Sequence, residues 1–169
     1  MITLLSHGLV PHCRFIFSGG FVTLTDRELA MDILHRNLNL NLASCKHKCP
    51  YCSWSDLFSN SANTSVNPCM GLKSTSVTVL DWGNNLDRFQ SYDVILAADI
   101  VYLEETFPAL LSTFKHLSSV NTTIFLSCKI RYTRDKRFLR MMRESFKLEL
   151  LESLPDKSIF LYKARLKPQ

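Results

Sequence analysis

Four groups of polar and aromatic residues in this 169-residue sequence could do chemistry, and each directly follows a run of apolar or β-branched residues. They are Asp26, the pair Asp81-Trp82, the pair Asp99 and Tyr102, and residues 129–132. If the preceding runs are strands of one parallel sheet, their carboxyl ends meet at the edge where such sheets bind ligands. The sequence therefore predicts a composite site assembled from distant parts of the chain.

Asp26 and Trp82 have residue types that suit a nucleoside. A carboxylate that ends a strand just before a helix can accept two hydrogen bonds from ribose hydroxyls, although a helix N-cap explains Asp26 equally well. Trp82 could stack on a nucleobase, but an isolated tryptophan is more often part of a core or an interface. Both alternatives remain open from the residues alone.

The segment from Ala97 to Tyr102 suits the binding of an amine. The small side chains of Ala97 and Ala98 would let a ligand approach the backbone. The carboxylate of Asp99 could hold the protons of an amine, and the ring face of Tyr102 could position it. A simple strand-to-helix turn accounts for the same residues equally well.

A cysteine-rich run, CKHKCPYC, has the spacing of a metal site. Cys45, Cys49 and Cys52 resemble the cluster loop of radical S-adenosylmethionine enzymes, but the long barrel expected after such a loop is missing. A zinc site would need these three thiolates and a fourth ligand, His47 or Cys69. We favour free thiols over zinc, and zinc over a cluster.

Strands and helices alternate along the chain. Apolar and β-branched runs predict strands, helical periodicity and a capping-box spacing at 25–28 predict helices, and a Ser-, Asn- and Cys-rich stretch at about 43–75 predicts a loop insertion. The expected strands are 21–25, 77–80, 92–98, 122–128, 147–152 and 157–164, and the expected helices are 26 to about 38, 104–117 and 133–146. This alternation predicts an α/β fold with a mostly parallel sheet and helices on both faces.

The bulk composition is that of one folded domain spanning residues 1–169. Hydrophobic residues make up 46% and charged residues 21% of the chain, which favours a globular core over disorder. The net charge of +5 is too small to indicate nucleic-acid binding. We expect no membrane span, no signal peptide and mostly reduced cysteines.

Four segments together resemble the seven-strand protein-lysine methyltransferases, and most closely the group that methylates seventy-kilodalton heat-shock chaperones. They are TLTDR at 23–27, LDWGNNL at 80–86, DVILAADIVYLEETF at 93–107 and CKIRYTRD at 128–135. The resemblance runs from about Val22 to Ala164, interrupted by the insertion. It implies a Rossmann-like fold, S-adenosyl-L-methionine as methyl donor and a lysine of a protein as acceptor.

The resemblance also implies roles for particular residues. Asp26 would bind the ribose, Trp82 would line the adenine pocket, and Asp99 and Tyr102 would border the donor methyl and the lysine channel. The implied cofactor-binding set is Gly8, Asp26, Asp81, Trp82 and Ala98.

The N-terminal segment departs from the family pattern of Glu-x-Gly-x-Gly-x-Gly after the first strand. Of that pattern only Gly8 and the two residues after it are retained in ITLLSHGLV, so we expect a degenerate first strand and glycine loop in a shortened or divergent member.

Three functions compete at this stage. The first is a cytoplasmic, monomeric lysine methyltransferase that acts on a heat-shock chaperone and contacts neither nucleic acid nor membrane. The second is an inactive methyltransferase-fold module that binds a protein partner, suggested by the missing glycines. The third is a metal-binding protein that uses Cys45, Cys49 and Cys52.

Overall fold

The computed structural model describes residues 2–6, 21–45 and 75–168, which form seven strands, three α-helices and short 3₁₀ turns. The strands are β1 (Ile2–Ser6), β2 (Val22–Asp26), β3 (Thr75–Val79), β4 (Tyr92–Ala98), β5 (Ser118–Lys129), β6 (Phe146–Leu154) and β7 (Ile159–Leu166). The helices are α1 (Met31–Cys45), α2 (Phe107–Leu117) and α3 (Thr133–Ser145). Within these ranges no helix combines the length and apolar character needed to cross a bilayer.

All seven strands form one sheet in the order β3-β2-β1-β4-β5-β7-β6. The pairs from β3 to β5 are parallel, whereas β7 runs antiparallel to both β5 and β6. The predicted α/β fold with a mostly parallel sheet is therefore confirmed, and its last two strands pair antiparallel to each other. At the outer edge, the pairing of β6 with β7 shifts register between Leu150 and Glu152, which is a β-bulge.

Strand β1 lies at the centre of the sheet. All five of its residues pair with β4, from Ile2 opposite Val94 to Ser6 opposite Ala98, and four of them pair with β2. The expectation of a degenerate first strand is wrong for the strand itself, because the sequence ITLLS keeps the β-branched and apolar residues that a central strand needs. Gly8, which follows this strand, lies outside the described residues.

Helices cover both faces of the sheet, as the alternating side chains of β4 demonstrate. Ile95 and Ala97 are buried in the main core, which also contains residues of α2 and α3. Leu96 points to the opposite face, where it packs in a smaller cluster with Leu34 and Leu38 of α1.

Phenylalanines of α2, α3 and β6 contribute to the main core. The rings of Phe107 and Phe138 lie 5.1 Å apart and join the two helices. Phe107, Phe114 and Phe146 are no more than 1% exposed. Pro108 lies in the first turn of α2, where its missing N–H removes no helical hydrogen bond.

The first helix differs from its predicted form. Thr25 is part of β2 and pairs with Thr78 of β3, so it is not the N-cap that the capping-box spacing predicted. Arg27 instead precedes a 3₁₀ turn at residues 28–30, and α1 begins at Met31 and extends to Cys45. The strand pairing outweighed the local capping signal, because β2 is buried between two parallel neighbours.

The borders of the predicted insertion also move. Helix α1 ends at Cys45, two residues after the position, about 43, at which the insertion was predicted to begin. Strand β3 begins at Thr75, two residues before the predicted strand at 77–80. The remainder of the insertion, residues 46–74, lies outside the described residues.

The start of α3 depends on one buried carboxylate. Asp135 is 2% exposed, and its Oδ2 accepts hydrogen bonds from the backbone N–H groups of Arg131 at 2.7 Å and Tyr132 at 2.9 Å. These bonds fix the turn between β5 and α3, and the negative charge suits the helix N-terminus.

Replacing Asp135 with Ala should lower the free energy of unfolding by about 2–3 kcal/mol, because two backbone N–H groups would lose a charged, buried acceptor. Chemical denaturation followed by circular dichroism measures this change. Glu144→Ala, at an exposed position of the same helix, is the control and should stay within about 0.5 kcal/mol of the parent. Equal stability of the two variants would contradict a structural role for the Asp135 carboxylate.

Candidate active site

The carboxyl ends of the parallel strands place the four predicted groups along one edge of the sheet. Asp26 is the last residue of β2 and pairs with Val79, the last residue of β3. The carbonyl of Asp26 accepts a hydrogen bond from Leu80 N–H at 2.9 Å, so the turn containing Asp81 and Trp82 begins beside Asp26. The Oδ1 atom of Asp26 also accepts the N–H of Arg27 at 2.8 Å.

Asp99 leaves the end of β4 in an unusual backbone conformation. Its φ is +53°, in the left-handed region, and its N–H donates to the carbonyl of Ser127 in β5 at 3.1 Å. Aspartate tolerates this region better than most residues, but the conformation still costs free energy and is typical of functional turns. The chain is thereby turned so that Tyr102 reaches the same edge as Asp26 and Trp82.

Tyr102 and Trp82 are in direct contact. Their ring centroids are 6.4 Å apart and their planes meet at 63°, which is an edge-to-face arrangement. Burial raises the pKa of the Tyr102 phenol; the positive charge of Arg27 lowers it, and the carboxylates of Asp26 and Asp99 raise it. The structure thus brings Asp26, Trp82, Asp99 and Tyr102 together, and the phenol keeps its proton at neutral pH.

The turn that carries Trp82 is fixed to helix α2. Gly83 has a φ of +78°, and a Cβ at this position would lie 3.0 Å from the Cβ of Ala109. Its N–H donates to Oγ1 of Thr113 at 2.8 Å, and the same hydroxyl donates to the Ala109 carbonyl at 2.9 Å. A glycine is required here because the turn approaches the helix closely with positive φ.

Sequence reasoning missed two residues of this arrangement. Thr113 is completely buried, yet it was read only as part of an apolar helix. A β-branched hydroxyl within an otherwise apolar helical stripe was the available signal. Arg27 lies close enough to influence Tyr102, although the sequence pattern suggested only a helix start.

The other predicted residues divide into three groups. Asp81 is exposed in the turn before Gly83, and Ala98 ends β4 opposite Ser6 of β1, so both are at the same edge. Gly8, Cys49 and Cys52 lie outside the described residues, and Cys45 is the last residue of α1. In the part of the chain that the structure describes, no three His, Cys, Asp or Glu residues cluster as metal ligands.

The fourth group, residues 129–132, spans the carboxyl end of β5 and the turn that leads into α3. The Arg131 and Tyr132 amides bind Asp135, and the guanidinium of Arg134 lies 4.5 Å from the centre of the Tyr132 ring. Tyr132 is 58% exposed beside the predicted edge.

Cys128 is a buried thiol under this edge, near the end of β5. It is 2% exposed, and burial, followed by the charges of Asp135 and Asp99, raises its pKa to about 12. The group therefore stays a neutral thiol at physiological pH and is a poor nucleophile.

Solved structures that share this fold identify its class. The methyltransferase domain of bacterial CtHen1-C matches with a TM-score of 0.62 at 14% identity, covering 99% of this chain and 89% of that one. A predicted O-methyltransferase from Agrobacterium tumefaciens matches with a TM-score of 0.58 at 12% identity, covering 99% and 74%. The chain therefore has the Rossmann-like methyltransferase fold.

The family is shown by a match of residues 57–145, just over half of the chain, to the family described as "Lysine methyltransferase". The chain belongs to this lysine methyltransferase family.

Curated relatives agree with this assignment. Protein N-lysine methyltransferase METTL21A of Danio rerio is 40% identical over 86% of this chain and 56% of its own length. EEF1A lysine methyltransferase 3 of Mus musculus is 33% identical over 87% of this chain and 53% of its own length. The chain thus spans a little over half the length of the curated relatives it matches.

Thr113→Val should release the Trp82 turn, because it leaves the N–H of Gly83 without its acceptor at nearly unchanged side-chain volume. We expect a loss of about 1–3 kcal/mol in unfolding free energy and a red shift of Trp82 emission. The measurement uses a Trp54→Phe background, in which Trp82 is the single tryptophan. Thr113→Ser keeps the hydroxyl and is the matched control; a red shift as large in this variant as in Thr113→Val would contradict the hydrogen-bonding role.

Cys128 should make the protein less stable at high pH. Its folded pKa lies above the unfolded value of about 8.5, so the stabilising neutral thiol is fully present below that pH and is lost as pH rises toward about 12. In that range the group should lower stability by up to about 1.4 kcal/mol per pH unit. Denaturation curves of the parent and Cys128→Ala at increasing pH test this, and parallel pH dependences would refute it.

Proposed function

We propose that this chain is an S-adenosylmethionine-dependent protein N-lysine methyltransferase. The observation that carries the proposal is the meeting of Asp26, Trp82, Asp99 and Tyr102 at the carboxyl edge of the sheet. Membership of the lysine methyltransferase family supplies the reaction class to which this edge is suited.

The residues at the edge fit the chemistry of the cofactor. Asp26, at the carboxyl end of β2, has the position and charge to accept hydrogen bonds from the ribose hydroxyls. The half-buried ring of Trp82 offers an apolar surface for adenine. Ala98 and the exposed Asp81 border the same space, and Gly8 follows the central strand that ends opposite Ala98.

When bound, S-adenosylmethionine supplies an electrophilic methyl group for direct transfer to a nitrogen. The chain's own task is to deliver a neutral lysine amine in line with that methyl, so positioning and exclusion of water carry most of the rate. Asp99 is exposed and can attract the lysine ammonium as it arrives. The half-buried Tyr102 lines the next part of the path, where burial favours release of the lysine proton.

Tyr102 suits this role because its phenol remains protonated. Burial and the two nearby carboxylates raise its pKa, so the hydroxyl can accept a hydrogen bond from the ammonium or donate one to a neighbouring carboxylate. The contact with Trp82 holds the ring in place, which couples the lysine path to the surface proposed for adenine.

The substrate is proposed to be a cytosolic seventy-kilodalton heat-shock chaperone, methylated by a monomeric enzyme in the cytoplasm. The resemblance of residues 98–107 to the chaperone-modifying group supports this choice. A relative of Mus musculus that is 33% identical to this chain is named EEF1A lysine methyltransferase 3. Elongation factor EEF1A is the second candidate substrate because of that relative's name.

One observation favours a second function, that of a methyltransferase-fold module that binds a protein partner without transferring methyl groups. The segment after β1 retains only Gly8 of the glycines that the family pattern places next to the methionine part of the cofactor. S-adenosylhomocysteine binding separates the two functions, because a ligand that binds the folded chain raises its melting temperature.

Asp26→Ala should weaken S-adenosylhomocysteine binding by about tenfold or more, because a charged acceptor of ribose hydrogen bonds is lost. Isothermal titration calorimetry measures the affinity. Asp32→Ala removes an exposed carboxylate near the start of α1 and should leave the affinity unchanged. No binding by the parent chain would favour the inactive module over the enzyme.

Methyl transfer is tested with labelled S-adenosylmethionine and purified chaperone or EEF1A. Asp99→Ala and Tyr102→Phe should each lower transfer while leaving S-adenosylhomocysteine affinity within about threefold, because both residues border the lysine path. If Asp99→Ala transferred methyl groups as fast as the parent, the proposed lysine path would be wrong.

A further inference from the structure

A groove lies between helix α3 and strand β7, beyond the residues proposed for methyl transfer. Its volume is about 550 Å³, and we name it the α3 groove. Three cations and three apolar or aromatic side chains form most of its lining: Lys136, Arg140, Arg143, Leu139, Phe160 and Tyr162.

The three cations share one side of α3. Lys136, Arg140 and Arg143 are spaced i, i+4 and i+7, so they form a row about 10 Å long on the helix. All three are exposed, and across residues 75–168 no carboxylate lies within ion-pair distance of them. The salt bridges of this region are instead made by Arg134 and Arg137, which point to Asp135 and Glu104.

The positive charge at the end of the groove is reinforced from β7. The ammonium of Lys167 donates a hydrogen bond to the carbonyl of Arg143 at 2.6 Å, which brings a fourth cation beside the row. Burial, followed by Cys128, raises the pKa of Tyr162, whereas the guanidinium of Arg143 lowers it. Arg143 therefore lies near the Tyr162 phenol. The groove therefore combines an apolar floor with unneutralised positive charge.

The opposite end of the groove adjoins the proposed active site. Ile130 and Thr133 line this end; Ile130 directly follows β5, and Thr133 is the first residue of α3. In β5, the carbonyl of Ser127 accepts a hydrogen bond from the N–H of Asp99. Cys128 in the same strand lies close enough to Asp99 for that carboxylate to raise the pKa of the thiol. A chain segment leaving the site near Asp99 could thus continue along α3.

We propose that the α3 groove binds an acidic peptide segment of the protein substrate, next in sequence to the lysine presented at Asp99. The link to the substrate rests on the proposed lysine methyltransferase function. Glutamate or aspartate side chains would pair with the three cations, and the backbone would lie against the partly exposed ring of Phe160. A row of about 10 Å matches three or four extended residues.

The aromatic residues favour a peptide over a nucleic acid. Phe160 and Tyr162 stack on each other with centroids 6.4 Å apart and an angle of 23° between their planes. Tyr162 is only 8% exposed, so its ring offers little free face for a base. Single-stranded nucleic acids need such open faces in addition to cations.

The test uses fluorescence anisotropy of a fluorescein-labelled oligoglutamate peptide, without S-adenosylmethionine. The triple variant Lys136→Gln, Arg140→Gln, Arg143→Gln should bind the peptide about tenfold or more weakly than the parent. The control is Arg36→Gln, Lys115→Gln, Lys157→Gln, which removes the same charge from exposed positions outside the groove. It should bind within about twofold of the parent.

Several outcomes would overturn the inference. Equal weakening in both triple variants would mean attraction to net charge alone, and no binding by the correctly folded parent would remove the site. If a labelled oligothymidylate bound more tightly than oligoglutamate and required the same three cations, the groove would be a nucleic-acid site. Circular dichroism melting of each variant verifies that a loss of binding is not a loss of fold.

A kinetic experiment separates this inference from the proposed function. With an acceptor protein that has acidic residues beside its lysine, the groove variant should raise KM about tenfold and leave kcat unchanged. An unchanged KM would overturn the link to the substrate. If the parent binds oligoglutamate through the groove but transfers no methyl group to any acceptor, the groove stands as a peptide site and the proposed activity fails.

Discussion

The parallel pairing of β1 with both β2 and β4 is the constraint on which the site depends. On one side of β1 lie β2, which ends at Asp26, and β3, which ends three residues before Trp82. On the other side lies β4, which ends directly before Asp99. The five residues of β1 therefore join two parts of the sheet, β2–β3 and β4, between which the chain contains a long insertion. Without this ladder, the contact between Trp82 and Tyr102 across the centre of the edge could not form.

The strand ends then need local devices that hold the connecting turns. Gly83 and Thr113 fix one turn to helix α2, the left-handed backbone of Asp99 redirects the next, and Asp135 fixes the third at the start of α3. Each device satisfies a backbone N–H group that would otherwise be costly to leave unpaired near the core. The turns at the edge are thus held by three separate anchors on three different elements.

Much of this arrangement could be predicted from the sequence, and the reasons are physical. Buried parallel strands such as β4 are almost wholly apolar, and amphipathic helices such as α3 repeat with helical period. The predicted bounds of β4 were therefore correct, and those of α3 differed by one residue at its end. The meeting of Asp26, Trp82 and Asp99 followed from the rule that ligands bind at the carboxyl edge of such sheets.

The errors arose where long-range pairing overrides local preference. The capping signal at Thr25 was outweighed by strand pairing. The part played by Thr113 depends on a partner thirty positions away, which no local pattern contains. The groove beside the cations of α3 forms only when β7 returns along the sheet, so no local pattern contains it.

The bulge in β6 has a consequence for how this protein behaves in concentrated solution. Strand β6 is the outer strand on its side of the sheet and carries exposed Leu150, Leu151 and Leu154, a combination that invites another strand to pair with it. The register shift between Leu150 and Glu152 breaks the regular row of N–H and C=O groups, and the exposed Glu149 and Glu152 place like charges on any copy that approaches. The β-bulge in β6 therefore disfavours edge-to-edge pairing of this sheet with the sheet of a second molecule.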